Sequence, residues 1–126
     1  MKIAVVDDDP SMQTALRRLL QAEGFETTIF ASGSEFLTSL AQELPACLML
    51  DLNMPGMSGL DVLSALRDAG ISTPVIIVTS VDDRLLIARA LAAGAVACLT
   101  KPVSTGLLLF TVRQALAGAG RGAGPT

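Results

Sequence analysis

Four short apolar runs of the chain are each followed immediately by residues that can bind a metal ion or a phosphoryl group. In chain order they are Asp7, Asp8, Asp9, Asp51, Thr79, Ser80, Thr100 and Lys101. Clustered carboxylates repel one another, and a hard divalent cation such as Mg²⁺, which prefers oxygen ligands, would relieve that repulsion. The ammonium group of Lys101 could hold an anion such as a phosphoryl group beside the cation.

These chemical groups would meet only if the apolar runs form one sheet. The runs cover residues 3–6, 47–50, 75–78 and 95–99, and their continuous apolar character is typical of strands buried on both faces of a parallel sheet. A weaker run over residues 27–30 contains two threonines and fits an edge strand. Ligands of open α/β sheets bind at the carboxyl ends of the strands, where the polar residues lie.

Helical periodicity separates the apolar runs. Asp9 can cap the first helix, and Pro10 lies in the first turn, where proline is tolerated. Ser32 and Glu35 form a possible capping box for the second helix. The third helix follows Ser58, the fourth covers about residues 82–93 and the fifth follows Ser104.

Five strands that alternate with five helices predict a doubly wound α/β domain, because right-handed crossovers place helices on both faces of the sheet. We expect this domain to cover residues 1–117. Residues 118–126 consist mainly of Gly, Ala and Pro, and we interpret them as a flexible linker or tail.

Composition excludes several classes of function. The chain of 126 residues has a formal net charge of −3, which argues against direct binding to nucleic acid or to an anionic membrane surface. It contains no histidine, so imidazole catalysis and imidazole metal sites are excluded. We find no apolar run long enough to span a membrane and no signal-peptide pattern, and we expect a cytoplasmic protein with reduced thiols at Cys47 and Cys98.

Four motifs in this order resemble the receiver domain of two-component response regulators. The motifs are VVDDDP, LMLDLNMPGMSG, VIIVTS and CLTKP, and the resemblance extends over residues 1 to about 117. It implies a flavodoxin-like three-layer sandwich with a five-stranded parallel sheet of order 2-1-3-4-5. The segments MPGMSGLDVL and AGAVACLTKP are most similar to receivers of the nitrogen-fixation-regulator type. Such receivers usually precede a helix-turn-helix DNA-binding domain.

The resemblance also implies a role for each motif residue. Asp51 would accept a phosphoryl group from a sensor histidine kinase or a small phosphodonor. Thr79 would bond a phosphoryl oxygen, and Lys101 would pair with the phosphoryl group or with Asp51. Mg²⁺, for which Mn²⁺ could substitute, would bind to Asp8, Asp51 and the backbone carbonyl of Asn53, with Asp7 acting through water. The domain would be regulatory rather than an enzyme, with at most slow self-phosphorylation and self-dephosphorylation.

In such receivers the fourth helix, fifth strand and fifth helix form the surface for dimerisation or for contact with an output domain. Consecutive apolar residues at 85–87 and at 107–110 are too many for one core-facing stripe, so we expect some of them to be exposed. The resemblance implies a DNA-binding output domain, which would lie outside this chain.

Three positions depart from the family pattern. Receivers usually carry an aromatic residue three positions before the lysine, where this chain has Cys98, and another after the proline, where it has Val103. We expect Cys98 to be a small buried apolar residue. Val81 cannot orient water by hydrogen bonding, which predicts a long-lived phosphoryl group; its decay after replacement of Val81 by Glu would test this.

Three alternatives have different sequence requirements. A flavodoxin relative needs a phosphate-binding loop after the first strand, where this chain has acidic residues instead. An aspartyl-phosphate phosphatase needs a second aspartate two residues after the nucleophile, where this chain has Asn53. The remaining alternative is a receiver-like interaction module that works without phosphorylation, which the missing aromatic at Cys98 favours and the intact acidic set opposes.

Overall fold

The protein is an open sheet of five parallel strands with helices on both faces. The computed structural model describes residues 1–80 and 82–120. The strands are β1 (Lys2–Val6), β2 (Glu26–Phe30), β3 (Cys47–Leu50), β4 (Val75–Thr79) and β5 (Ala97–Thr100), and their order in the sheet is β2-β1-β3-β4-β5. The helices are α1 (Pro10–Ala22), α2 (Gly33–Ser39), α3 (Gly59–Asp68), α4 (Arg84–Ala92) and α5 (Thr105–Gly120). The predicted fold class and strand order are therefore confirmed.

Each central strand contributes side chains to two separate cores, because successive residues of a strand point to opposite faces. On one face, Val6 and Leu50 pack with α2, α3 and α4. On the other face, Val5 and Met49 pack with α1 and α5. The strands β1, β3 and β4 are buried almost throughout, which explains why their sequences are continuously apolar.

Side-chain caps fix the starts of these helices, and those at Asp9 and Ser32 were predicted from the sequence. Asp9 accepts a hydrogen bond from the backbone of Ser11 at the start of α1. Ser58 and Asp61 form a complete capping box at the start of α3. At α2 the Ser32 hydroxyl accepts from the Glu35 backbone, which is one half of the predicted box.

The carboxyl-terminal half of the chain differs from the prediction in three ways. The strand expected at residues 95–99 is Ala97–Thr100, and it is only partly buried because it lies at the edge of the sheet. The helix α4 begins at Arg84, two residues later than expected, since Asp83 is its cap. The helix α5 continues to Gly120, beyond residue 117, at which the domain was expected to end. Residues 121–126 of the expected linker lie outside the described part of the chain.

The loop between β3 and α3 needs glycine at two positions, for different reasons. Gly56 has φ +75, in the left-handed region that favours glycine. Gly59 has no positive φ, but a Cβ atom there would lie 2.3 Å from the carbonyl oxygen of Asp51 and 2.7 Å from Cα of Leu52. The start of α3 therefore lies directly against the backbone of Asp51.

Replacement of Gly59 by alanine should destabilise the protein by about 3 kcal/mol, because both clashing atoms belong to the backbone and overpacking costs on that order. Urea unfolding would measure the change. Gly106→Ala is a suitable control, since a Cβ atom there meets no other atom within 4 Å and alanine favours the helix. A stability for Gly59→Ala equal to that of the control would contradict the close packing.

The two cysteines are free and lie on strands separated by β4. Neighbouring strands are roughly 4.8 Å apart, so the two backbones are too distant for a disulfide, as expected. Cys47 is fully buried, and burial raises the pKa of its thiol to about 12. Cys98 is only partly buried, contrary to expectation, because its strand forms the sheet edge; burial nevertheless raises the pKa of its thiol.

The thiols should therefore react very differently with a reagent such as dithiobis-nitrobenzoate. In the native protein we expect one equivalent, from Cys98, and a second only after unfolding with urea, because the reactive thiolate of Cys47 does not form in the core. The variant Cys98→Ala should show almost no native reaction. Rapid native labelling of Cys47 in that variant would show that this core opens easily.

Candidate functional site

Backbone hydrogen bonds between neighbouring strands fix the positions of the acidic and basic residues at the carboxyl end of the sheet. The Asp7 backbone donates to the carbonyl of Phe30, the Asp51 backbone donates to the carbonyl of Val6, and the Lys101 backbone donates to the carbonyl of Thr79. Each of these residues thus continues the backbone hydrogen bonding between neighbouring strands one residue beyond the end of its own strand. As a result, their side chains converge at the carboxyl end of the sheet, as the sequence predicted.

Three carboxylates form the centre of this site. Asp7, Asp8 and Asp51 each offer an oxygen, and these oxygens lie within 4.8 Å of one another. Asp7 and Asp51 are 2% and 6% exposed, whereas Asp8 is open to solution. Oxygen donors at this spacing suit a small divalent cation such as Mg²⁺.

Lys101 contacts both buried carboxylates. Its Nζ lies 2.9 Å from Oδ2 of Asp7 and 3.4 Å from Oδ2 of Asp51. Burial opposes the charge of the ammonium group, but the hydrogen bond to Asp7 and the charges of Asp51 and Asp7 outweigh that effect and raise the pKa of Lys101. Lys101 is therefore a cation at neutral pH that partly compensates the carboxylates.

The remaining residues of the predicted set are close to this centre along the chain. The Asn53 backbone donates to Oδ1 of Asp51 at 3.1 Å, which closes the turn after β3, and the Asn53 residue is exposed. Thr79 ends β4 and is fully buried. Lys101 and Pro102 are joined by a cis peptide bond. Val81 lies outside the described residues, so its predicted effect on phosphoryl lifetime stays a prediction.

Two contacts at the site were not predicted from the sequence. The shorter contact of Lys101 is with Asp7, whereas the resemblance indicated the phosphoryl group or Asp51. The side chain of Gln13 donates to the backbone carbonyl of Asp7 at 2.6 Å. A partial signal was available for Gln13, which lies one helical turn after the Asp9 cap and so faces back toward the end of β1.

A groove of about 900 Å³ lies apart from the acidic site. It lies at the amino end of the sheet, between the segment before β4 and the second half of α5. Its lining is mostly apolar and includes no carboxylate. We locate the candidate site by its converging charged groups rather than by cavity size, because a metal site at strand ends needs no deep pocket.

Comparison with known protein families identifies the family to which the chain belongs. The response regulator receiver domain family matches residues 3–113. The chain belongs to this family. Of the solved structures, the receiver domain protein of Methanospirillum hungatei superimposes with a TM-score of 0.90 at 28% identity, covering 95% of this chain and 96% of that one. Full-length FixJ of B. japonicum superimposes with a TM-score of 0.88 at 32% identity, covering 94% of this chain and 58% of that one.

Several curated relatives of the receiver domain are named response regulators. The DNA-binding response regulator MtrA of Mycolicibacterium smegmatis is 38% identical over 116 residues, which cover 91% of this chain and 50% of MtrA. The response regulator protein TodT of Pseudomonas putida is 38% identical over 114 residues, which cover 90% of this chain and 50% of TodT. The chain thus spans about half the length of these relatives. No helix among the described residues has the length and apolarity to cross a membrane.

Removal of Lys101 should leave the receiver domain with uncompensated buried carboxylates. We expect Lys101→Ala to lower the free energy of unfolding by about 2 kcal/mol at neutral pH, since breaking a largely buried ion pair is costly. Mg²⁺ should then stabilise the variant more than the wild type, because the cation would relieve the same repulsion.

From neutral pH up to its ordinary pKa of 10.5 the lysine's contribution should persist, and it should disappear as the pH rises through the raised pKa in the folded protein. Lys2→Ala is the matched control, because the ion pair of Lys2 with Glu43 is exposed to solvent and screened. Equal effects of the two substitutions in urea unfolding would argue against charge compensation at the site.

Proposed function

We propose that this receiver domain is a phosphoacceptor switch, in which Asp51 takes a phosphoryl group from the phosphohistidine of a sensor histidine kinase or from a small phosphodonor. The observation that carries the proposal is the contact of one lysine with two buried carboxylates, beside a third that is open to solution. A buried carboxylate at a strand end, supported by a cation, is suited to an in-line attack that needs mainly positioning and charge neutralisation.

The residues present fit a bound Mg²⁺, with Mn²⁺ as a possible substitute. Asp8, Asp51 and the backbone carbonyl of Asn53 would hold the ion directly, and Asp7 would act through water. When bound, the ion supplies positive charge that offsets the charge of the incoming phosphoryl oxygens. The wide exposure of Asp8 leaves the site accessible from solution.

The chain's own residues then perform the transfer. An oxygen of Asp51 forms a bond to phosphorus while the phosphorus–nitrogen bond of the donor breaks, and the imidazole leaves with the bonding electron pair. The turn closed by the Asn53 backbone orients Asp51. Lys101 can shift from Asp51 to a phosphoryl oxygen, and the Thr79 hydroxyl would donate to another. The product is an acyl phosphate on Asp51.

We further propose that phosphorylation controls contacts made by α4, β5 and α5. Large apolar side chains are exposed on these elements and in the turn between α4 and β5, among them Leu85, Leu91, Val96, Leu107 and Phe110. Such a surface favours self-association or binding to an output domain. Because MtrA is named a DNA-binding response regulator and is about twice as long, an output domain that binds DNA is the natural target. A cytoplasmic location follows from this role and remains a prediction.

Intact mass after incubation with acetyl phosphate tests the central step. We expect one phosphoryl adduct that requires Mg²⁺ and is absent in Asp51→Asn, which keeps the shape but removes the nucleophile. Asp61→Asn is the control, because Asp61 is an acidic residue of the α3 capping box and should still allow the adduct.

An adduct that persists in Asp51→Asn would place the acceptor elsewhere. Absence of any adduct, together with no binding of beryllofluoride, would instead favour an interaction module that works without phosphorylation. The small side chain of Cys98 at the position where receivers usually carry an aromatic residue is the feature that keeps this alternative open.

A further inference from the structure

The side chain of Arg67 joins two loops at the amino end of the sheet, opposite the acidic site. Arg67 lies in the last turn of α3, and its Nη1 donates to the carbonyl oxygens of Ile71 at 2.7 Å and Thr73 at 3.4 Å. Its Nη2 donates to the carbonyl oxygen of Gly94 at 2.9 Å. The first two carbonyls belong to the connection before β4, and the third belongs to the turn between α4 and β5.

The turn that follows α4 is shaped to receive this guanidinium. Gly94 has φ +108, and a Cβ atom there would lie 2.7 Å from Nε of Arg67. The guanidinium is held by three carbonyls, so it has little freedom to move aside. Glycine at this position therefore meets two requirements, the backbone conformation and the close approach of Arg67.

The rest of α4 has few fully buried side chains. Within Arg84–Ala92, all of which the structure describes, only Ala90 is fully buried; Leu86 and Ile87 are partly buried against the core, and Leu85 in the first turn is 67% exposed. Ala90 lies near the carboxyl-terminal end, where its carbonyl also accepts from the Ala95 backbone. Elements with few buried side chains move at low cost in free energy, so the amino-terminal end of α4 is the loosely held one.

We propose that Arg67 is a positioning residue that holds the carboxyl-terminal end of α4, so that occupation of the acidic site moves the amino-terminal end about this fixed point. The moving end follows Thr79 by a few residues, whereas Gly94 lies at the far end of the helix. A helix of nine residues is about 13 Å long and stiff, so a small shift at one end becomes a rotation if the other end is fixed. The rotation part rests on the proposed function; the anchoring part does not.

Hydrogen exchange with and without beryllofluoride and Mg²⁺ tests both parts. In the free protein, Arg67→Gln should raise exchange of the backbone amides of residues 93–95 at least about tenfold, since hydrogen bonds from a charged donor are lost. In the wild type, beryllofluoride should change exchange in the first turn of α4 and leave residues 93–95 unchanged. In Arg67→Gln the change should spread along the whole helix.

Arg113→Gln is the matched control, because it removes the same charge from an ion pair with Glu23 that lies on α5 and α1. It should behave as the wild type. Arg67→Lys keeps the charge and the aliphatic stem, and it should restore part of the protection at residues 93–95; it also serves if Arg67→Gln unfolds. Urea unfolding of each variant separates a local change at residues 93–95 from general loss of stability.

Three results would overturn parts of the proposal. Unchanged exchange of residues 93–95 in folded Arg67→Gln would overturn the anchor, whatever the site does. Equal changes at both ends of α4 in the wild type would overturn the fixed point but leave phosphorylation intact. Failure of the wild type to bind beryllofluoride or gain a phosphoryl group would overturn the proposed function and the rotation together. Hydrogen exchange of residues 93–95 in the free wild type and in free Arg67→Gln would still show whether Arg67 anchors α4.

Discussion

The contact of Lys101 with Asp7 and Asp51 is the interaction around which the domain is arranged. Parallel pairing brings the carboxyl ends of β1, β3 and β5 to the same end of the sheet, and two of these strand ends carry buried carboxylates. Like charges at such a separation oppose folding unless a cation lies between them. Because Lys101 follows the edge strand β5, this compensation requires β1, β3, β4 and β5 to pair in register.

The charge balance of the site also explains why a divalent cation suits it. Three carboxylates and one ammonium group leave a formal charge of −2 within a few ångströms. A dication would neutralise this excess, and a monovalent cation would not. The close packing of Gly59 against the Asp51 backbone supports the same geometry from behind, since it fixes the turn from which the carboxylate projects. Charge and backbone packing therefore act on the same few residues.

The sequence predicted those features that depend on local pattern and strand order. Continuous apolar runs identified β1, β3 and β4 because these strands are buried on both faces, and the residue after each run belongs to the site. The partial exposure of Cys98 was missed, because an apolar run reads the same at the edge of a sheet as in its centre. The contacts of Gln13 and Arg67 with backbone carbonyls were also missed; helical spacing gave a partial signal for Gln13, whereas the contacts of Arg67 depend on the conformation of two loops, which its position in α3 does not reveal.

The two ends of the sheet have different physical tasks. The carboxyl end collects charge that responds to a cation or an anion, whereas the amino end is tied by hydrogen bonds from Arg67 to backbone carbonyls that do not titrate. The strand β4 is buried throughout its length and connects the two ends rigidly, so a displacement at Thr79 is not absorbed within the strand. It would be taken up where few side chains are fully buried, as at the beginning of α4. The exposed apolar surface beside that helix is then the part of the molecule that such a displacement would alter.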